Sequence, residues 1–147
     1  QALEKLVMRQ GSFDLILIET SGLADPAPIA ATFWQDEALC AILQLSGIVT
    51  VVDSKNIVKY LNDSDIRNEV TRQLLLADRV ILNKMDLLKS DEEVEAVSSA
   101  ISSLNPTALH FRSSFCSLTP EVLRDILFVN TTHDAAILTN LPEHRHS

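Results

Sequence analysis

Glycine is scarce in this sequence. Its 147 residues include three, Gly11, Gly22 and Gly47, and none is followed by lysine. No G-x-x-x-x-G-K-[ST] loop can be written in it, so the backbone nest that such a loop builds for nucleotide phosphates is missing. Cysteine is scarcer still. Cys40 and Cys116 lie far apart, at neither metal-ligand nor disulfide-framework spacing. That usage fits a reducing compartment, and the expected localisation is cytoplasmic. Basic residues are outnumbered, 12 Lys and Arg against 20 Asp and Glu, for a net charge of −8. Nucleic-acid binding takes its affinity from neutralising phosphates, so no nucleic acid is expected as a partner. Nor is a membrane, because no apolar run reaches the roughly 18 residues needed to span a bilayer. The opening residues, Gln1 to Met8, lack a basic stretch followed by an apolar one and read as amphipathic helix rather than signal peptide.

What is present is balanced. Apolar residues make up 46% and charged residues 22%, which describes a globular chain with its own core rather than a disordered one. Short apolar runs alternate with helical stretches. Leu15–Ile18, Ile48–Val52, Val80–Leu82 and Thr107–Arg112 read as strands, runs rich in β-branched and apolar residues as in strands covered on both faces, the last of them weaker. Between them, Ser90 with Glu93 forms a capping box that opens a helix bearing Val94, Val97, Ile101 and Leu104 on one side. Thr119-Pro120 and Asp25-Pro26 give two more helix starts, and Ile66, Val70, Gln73 and Leu74 hold a helical period before the strand at Val80. Strand–helix alternation predicts an α/β fold: a doubly wound, mostly parallel sheet with helices on both faces. The expected domain covers 1–128, with 129–147 as a linker or tail.

Ligands of open parallel sheets bind beyond the carboxyl ends of the strands. Two polar signatures stand there. In Asn83-Lys84-Met85-Asp86, a carboxylate can accept from both the ring N–H and the exocyclic amine of guanine, and adenine offers neither donor in that place. A wrong base leaves a buried charge unpaired, costing about 1–3 kcal/mol. Lys84 can lay its stem along the base while its ammonium ties the loop. The plainer alternative is a strand-to-helix turn with a capping Asp. In Glu19-Thr20-Ser21-Gly22, the carboxylate suits a water of nucleotide-bound Mg²⁺, and the glycine lets a bare backbone N–H approach a terminal phosphate. By itself that spacing is a common turn.

Together these residues resemble a known family. Ile18-Glu-Thr-Ser-Gly-Leu-Ala-Asp-Pro-Ala-Pro-Ile29, Gly47-Ile-Val-Thr-Val-Val-Asp53, Ala77-Asp-Arg-Val-Ile-Leu-Asn-Lys-Met-Asp86 and Ile101-Ser-Ser-Leu-Asn-Pro-Thr-Ala108 closely resemble the CobW-type GTPases. These are P-loop metallochaperones related to the nickel-insertion GTPases of urease and hydrogenase. The resemblance runs from about Gly11 to Leu127. It implies GTP binding and hydrolysis coupled to transfer of a divalent metal, most often zinc, to a client protein. By position, it places Glu19 on the Mg²⁺ side (through water) and Gly22 at the γ-phosphate, assigns guanine selection to Asn83, Lys84 and Asp86, and sets Ser113 near the base. Asp53 is either a switch or structural carboxylate or a strand-end turn residue.

The departures from the family are the absent phosphate loop and an absent C-x-C-C metal motif, which neither Cys40 nor Cys116 supplies. The expectation is the C-terminal part of a GTPase domain, beginning partway through it and inactive alone. The alternative is a degenerate paralogue that serves as a non-catalytic interaction module. His144 and His146, beside Glu143, offer ligands suited to zinc, although a solvated tail is the simpler reading. His110 and His133 have no partner in sequence and read as structural.

Overall fold

The computed structural model describes Lys5, Met8, Arg9, Gly11 and residues 14–127. Three strands form one parallel sheet in the order β1 (Val49–Asp53), β2 (Arg79–Asn83), β3 (Leu109–Arg112). The register pairs Val51 with Ile81 and Ile81 with Phe111, so the three carboxyl ends finish side by side. Helices fill the connections: α1 (Ala27–Gln35), α2 (Glu37–Cys40), α3 (Ile57–Asn62), α4 (Arg67–Leu75), α5 (Asp91–Leu104) and α6 (Pro120–Leu127).

The core lies on one face of the sheet. Val52, Val80 and Leu82 project from alternate strand positions onto Ile57 of α3, Val70 and Leu74 of α4, and Val97 and Ile101 of α5. The first four residues of β2 are all buried, as befits a central strand covered on both sides. The opposite face is thinner, with Ile81 buried but Val51 left 56% exposed.

Polar residues set the register where the strands begin. The Asp78 carboxylate accepts from the Ile48 N–H at 2.7 Å and fixes the entry to β1. Asn105 does more. Its buried amide donates to the carbonyls of Leu74 and Ala77 at 2.9 Å each, and its oxygen accepts from the Ala108 N–H at 3.2 Å. One side chain thus joins the end of α4 to the start of β3.

Two expectations change. Leu15–Ile18 is not a strand: it enters no ladder among the described residues, and Leu17 is 73% exposed. A strand is defined by its partner, and among the described residues β1 is paired along β2 only. The capping box also differs in detail. Ser90 Oγ accepts from the Glu93 N–H at 3.3 Å, but Glu93 reaches past the cap to the Lys89 N–H at 2.8 Å. Met8 is all that is described of the final part of the expected N-terminal helix, Lys5 is helical, and the expected tail 129–147 lies outside the described residues.

Candidate functional site

The site grows from the paired ends of β1 and β2. Asp53 and Asn83 are register partners, and the Ser54 N–H donates to the Asn83 carbonyl at 3.1 Å. Immediately beyond, Lys84 takes a left-handed backbone, φ 62° and ψ 32°, which turns the chain into a short 3-10 segment over Met85–Leu87. A non-glycine residue there costs on the order of 1–2 kcal/mol, so the surroundings must hold it. They do so at both ends. Lys84 Nζ donates to Asp53 Oδ2 at 2.8 Å, and the Met85 N–H donates to the Ser113 carbonyl at 3.1 Å.

Asp53 is itself fastened. Asn56 Nδ2 donates to its Oδ2 at 3.0 Å and the Lys55 N–H to its Oδ1 at 3.1 Å. Partial burial raises its pKa, but the hydrogen bonds from Lys84 and Asn56, with the Lys84 charge, outweigh that and hold the carboxyl below its ordinary value. The same hydrogen bond raises the Lys84 ammonium.

The loop after β3 forms the third wall. The Cys116 N–H donates to Asn83 Oδ1 at 2.9 Å, and the Asp86 N–H donates to Ser114 Oγ at 3.2 Å. Phe115 and Cys116 are both left-handed, at φ 58° and 52°, and the Phe115 side is 87% exposed. Asp86 is exposed, and no described residue engages its carboxylate.

The structure therefore brings Asn83, Lys84, Asp86 and Ser113 together at the carboxyl end of the sheet. Ser113 contributes main chain: its own N–H donates to the Leu82 carbonyl at 2.8 Å, and its buried hydroxyl donates to the Ser117 carbonyl at 3.3 Å. The hydroxyl that touches the Asp86 turn is that of Ser114. Sequence reasoning missed Ser114, Phe115 and the pairing of Asp53 with Lys84, since nothing local in sequence announces a contact between two strand ends.

Glu19 and Gly22 stand apart from this cluster, with no hydrogen bond or ion pair joining them to it among the described residues. Glu19 is exposed. Gly22 has φ 48°, and a Cβ built on it would meet nothing within 4 Å, so its surroundings are open. Cys40 donates from Sγ to the Phe33 carbonyl, and Cys116 is exposed. Burial lowers the pKa of His110. His133, His144 and His146 lie outside the described residues. Among the described residues no group of three or more His, Cys, Asp or Glu is placed to hold a metal ion, and no helix is long and apolar enough to cross a membrane.

Residues 1–112 match the profile of the CobW/HypB/UreG nucleotide-binding domain. This chain belongs to that family. The zinc-regulated GTPase metalloprotein activator 1 of Schizosaccharomyces pombe is 46% identical over 105 residues, covering 71% of this chain and 25% of the relative. The protein of the same name from Saccharomyces cerevisiae is 38% identical over 142 residues, covering 86% of this chain and 33% of the relative. The chain thus spans a quarter to a third of these CobW-family relatives. The Zn(II)-bound YjiA GTPase of Escherichia coli shares the fold at a TM-score of 0.69 with 25% identity, covering 98% of this chain and 43% of that one. The parallel sheet and its covering helices are those of a CobW-type GTPase.

Proposed function

We propose that this chain supplies the guanine-selecting and switch-bearing part of a GTPase that delivers zinc to a client protein. The observation that carries this reading is the turn at Asn83-Lys84-Met85-Asp86. It is held at one end by Asp53 and at the other by Ser113, with the Asp86 carboxylate exposed beyond it. A carboxylate held on a rigid turn and left without an internal partner is suited to a ligand that brings two N–H donors, as guanine does. Lys84 serves by fixing the loop on Asp53, and its stem is left to cover the base.

The phosphate end falls to Glu19 and Gly22. An exposed carboxylate fits a hydrated Mg²⁺, which keeps several of its waters and takes few protein ligands. When bound, that ion neutralises charge on the β- and γ-phosphate oxygens. The open space at Gly22 leaves its backbone N–H accessible to the terminal phosphate. Zinc enters this account as cargo, on the strength of the relatives named for it.

The experiment that tests the proposal is calorimetry on the full-length protein. Linkage requires zinc and GTP to change each other's affinity by one factor, typically about 5–150-fold for coupled sites. Zinc is titrated into the complexes with a GTP analogue and with GDP. Different affinities support delivery of metal under nucleotide control, and equal affinities reject it.

A further inference from the structure

The loop that carries Gly22 is held by hydrogen bonds rather than by packing. Ser21, Gly22 and Leu23 are all exposed, and the only turn bond within the loop runs from the Ala24 N–H to the Ser21 carbonyl at 2.9 Å. Two adjacent residues of α4 do the holding. Gln73 Nε2 donates to the carbonyls of Gly22 and Ala24, at 3.0 Å each. Arg72 donates from Nε and Nη2 to Asp25 Oδ2, at 3.0 and 2.6 Å. These two side chains keep only 12% and 6% of their exposure. The other oxygen of Asp25 accepts from the Ala27 N–H at 2.9 Å, where α1 begins.

The same stretch of helix is fastened on its far side. The Gln73 carbonyl accepts from Thr50 Oγ1 of β1 at 2.9 Å, and Asn105 grips the Leu74 and Ala77 carbonyls just before β2. A continuous set of bonds therefore runs from the Gly22 carbonyl through Gln73 to Thr50 of β1, the strand that ends in Asp53. Helix–loop packing alone would call for apolar contacts at Leu23, which is 44% exposed. A single amide bound to two carbonyls fixes the plane of the peptide that follows Gly22, a residue at φ 48° with wide conformational choice of its own.

We infer that Arg72 and Gln73 are positioning residues for nucleotide hydrolysis. They hold the Gly22–Asp25 loop where its backbone meets the terminal phosphate, and through the Gln73 carbonyl that loop is tied to β1, whose last residue, Asp53, holds Lys84. The inference rests on the GTPase reading above. Because the loop has little buried surface, these bonds set the balance between its arrangements, and GTP shifts that balance only through differential affinity. GDP, which lacks the γ-phosphate, makes no demand on the loop.

The test uses Gln73→Leu in the full-length protein, which keeps the side-chain volume and removes both donated bonds. Gln73 is half-buried and its amide bonds only loop carbonyls, and Arg72→Lys, which keeps a cation beside Asp25, is the second variant. Two readouts are taken. In the first, amide hydrogen exchange without nucleotide is expected to quicken at least about tenfold in peptides covering 20–25, and to stay unchanged over β2 and α5. In the second, kcat for GTP is expected to fall at least about tenfold in Gln73→Leu while GDP affinity stays within about two-fold, with Arg72→Lys intermediate. Unchanged exchange at 20–25 overturns the clamp. Unchanged kcat, or equal losses of GTP and GDP affinity, overturns the positioning role. A wild-type protein that neither binds nor hydrolyses GTP fails the GTPase reading instead, and the exchange result then decides the clamp by itself.

Discussion

Lys84 crosses from the end of β2 to the end of β1, placing Nζ 2.8 Å from Asp53 Oδ2. The contact joins residues 31 positions apart in the chain. It anchors a backbone that would otherwise resist its left-handed turn.

The first prediction follows from that pair. Asp53→Asn should lower stability at neutral pH by about 0.5–1 kcal/mol, the range of a solvent-reached ion pair. The Asp53 carboxyl is held below its ordinary value, so its contribution is present above the unfolded pKa, about 3.9. It is lost as pH falls through the folded value. Urea midpoints of wild type and variant should therefore converge between pH 5 and the acid limit, taken as roughly pH 3. A gap that stays constant over that range would contradict the assignment.

The Arg72–Asp25 pair is more deeply buried, and losing one partner costs more. Arg72→Met should destabilise by about 3–5 kcal/mol, because the Asp25 carboxylate is left buried without a cation. Adding Asp25→Asn should recover part of that loss. Denaturant unfolding of the two single variants and the double variant gives the coupling, and strict additivity would count against a direct pair.

Asn105 carries no chemistry in this account and yet should be among the least replaceable residues. Asn105→Ala strips partners from the buried carbonyls of Leu74 and Ala77 and from the Ala108 N–H, for an expected loss of about 2–4 kcal/mol. Asn105→Asp keeps the acceptor but sets oxygen against two carbonyl oxygens, and should be no better. A thermal midpoint for Asn105→Asp near that of wild type would show that the donated bonds matter little.

Gly22 separates strain from obstruction. Its φ of 48° penalises alanine by about 1–2 kcal/mol, whereas asparagine tolerates that region. Gly22→Asn should therefore be more stable than Gly22→Ala. Both add a Cβ, and both should weaken GTP binding relative to GDP in the full-length protein. If asparagine restored GTP affinity as well as stability, the approach of a phosphate to the bare backbone would not be the reason for glycine.

Much of the fold was legible because burial leaves a local mark. Val80-Ile81-Leu82 is apolar on consecutive positions since β2 is covered on both faces, and Ser90 and Thr119 announce α5 and α6 through the N–H groups they accept from. Leu15–Ile18 carries the same mark without being a strand, because an apolar run reports a tendency to be buried and says nothing about a partner. The helix α3 escaped notice since its six residues span under two turns, too few for a period to show. In the candidate site, Asn83, Lys84 and Asp86 were readable as a contiguous string. Asp53 as the anchor of Lys84, Ser114 beside Asp86, and Gln73 on the Gly22 loop were not, because parallel register and helix docking bring together residues that no short window contains.

Guanine selection by the turn at Asn83–Asp86 is open to a competition measurement. In the full-length protein, Asp86→Asn exchanges an acceptor-only carboxylate for an amide that can donate to the xanthine carbonyl in place of the guanine amine. The ratio of GTP to XTP affinity is expected to fall at least about tenfold, in line with the loss of one or two charged hydrogen bonds. A variant that still prefers GTP as strongly as the wild type would contradict it.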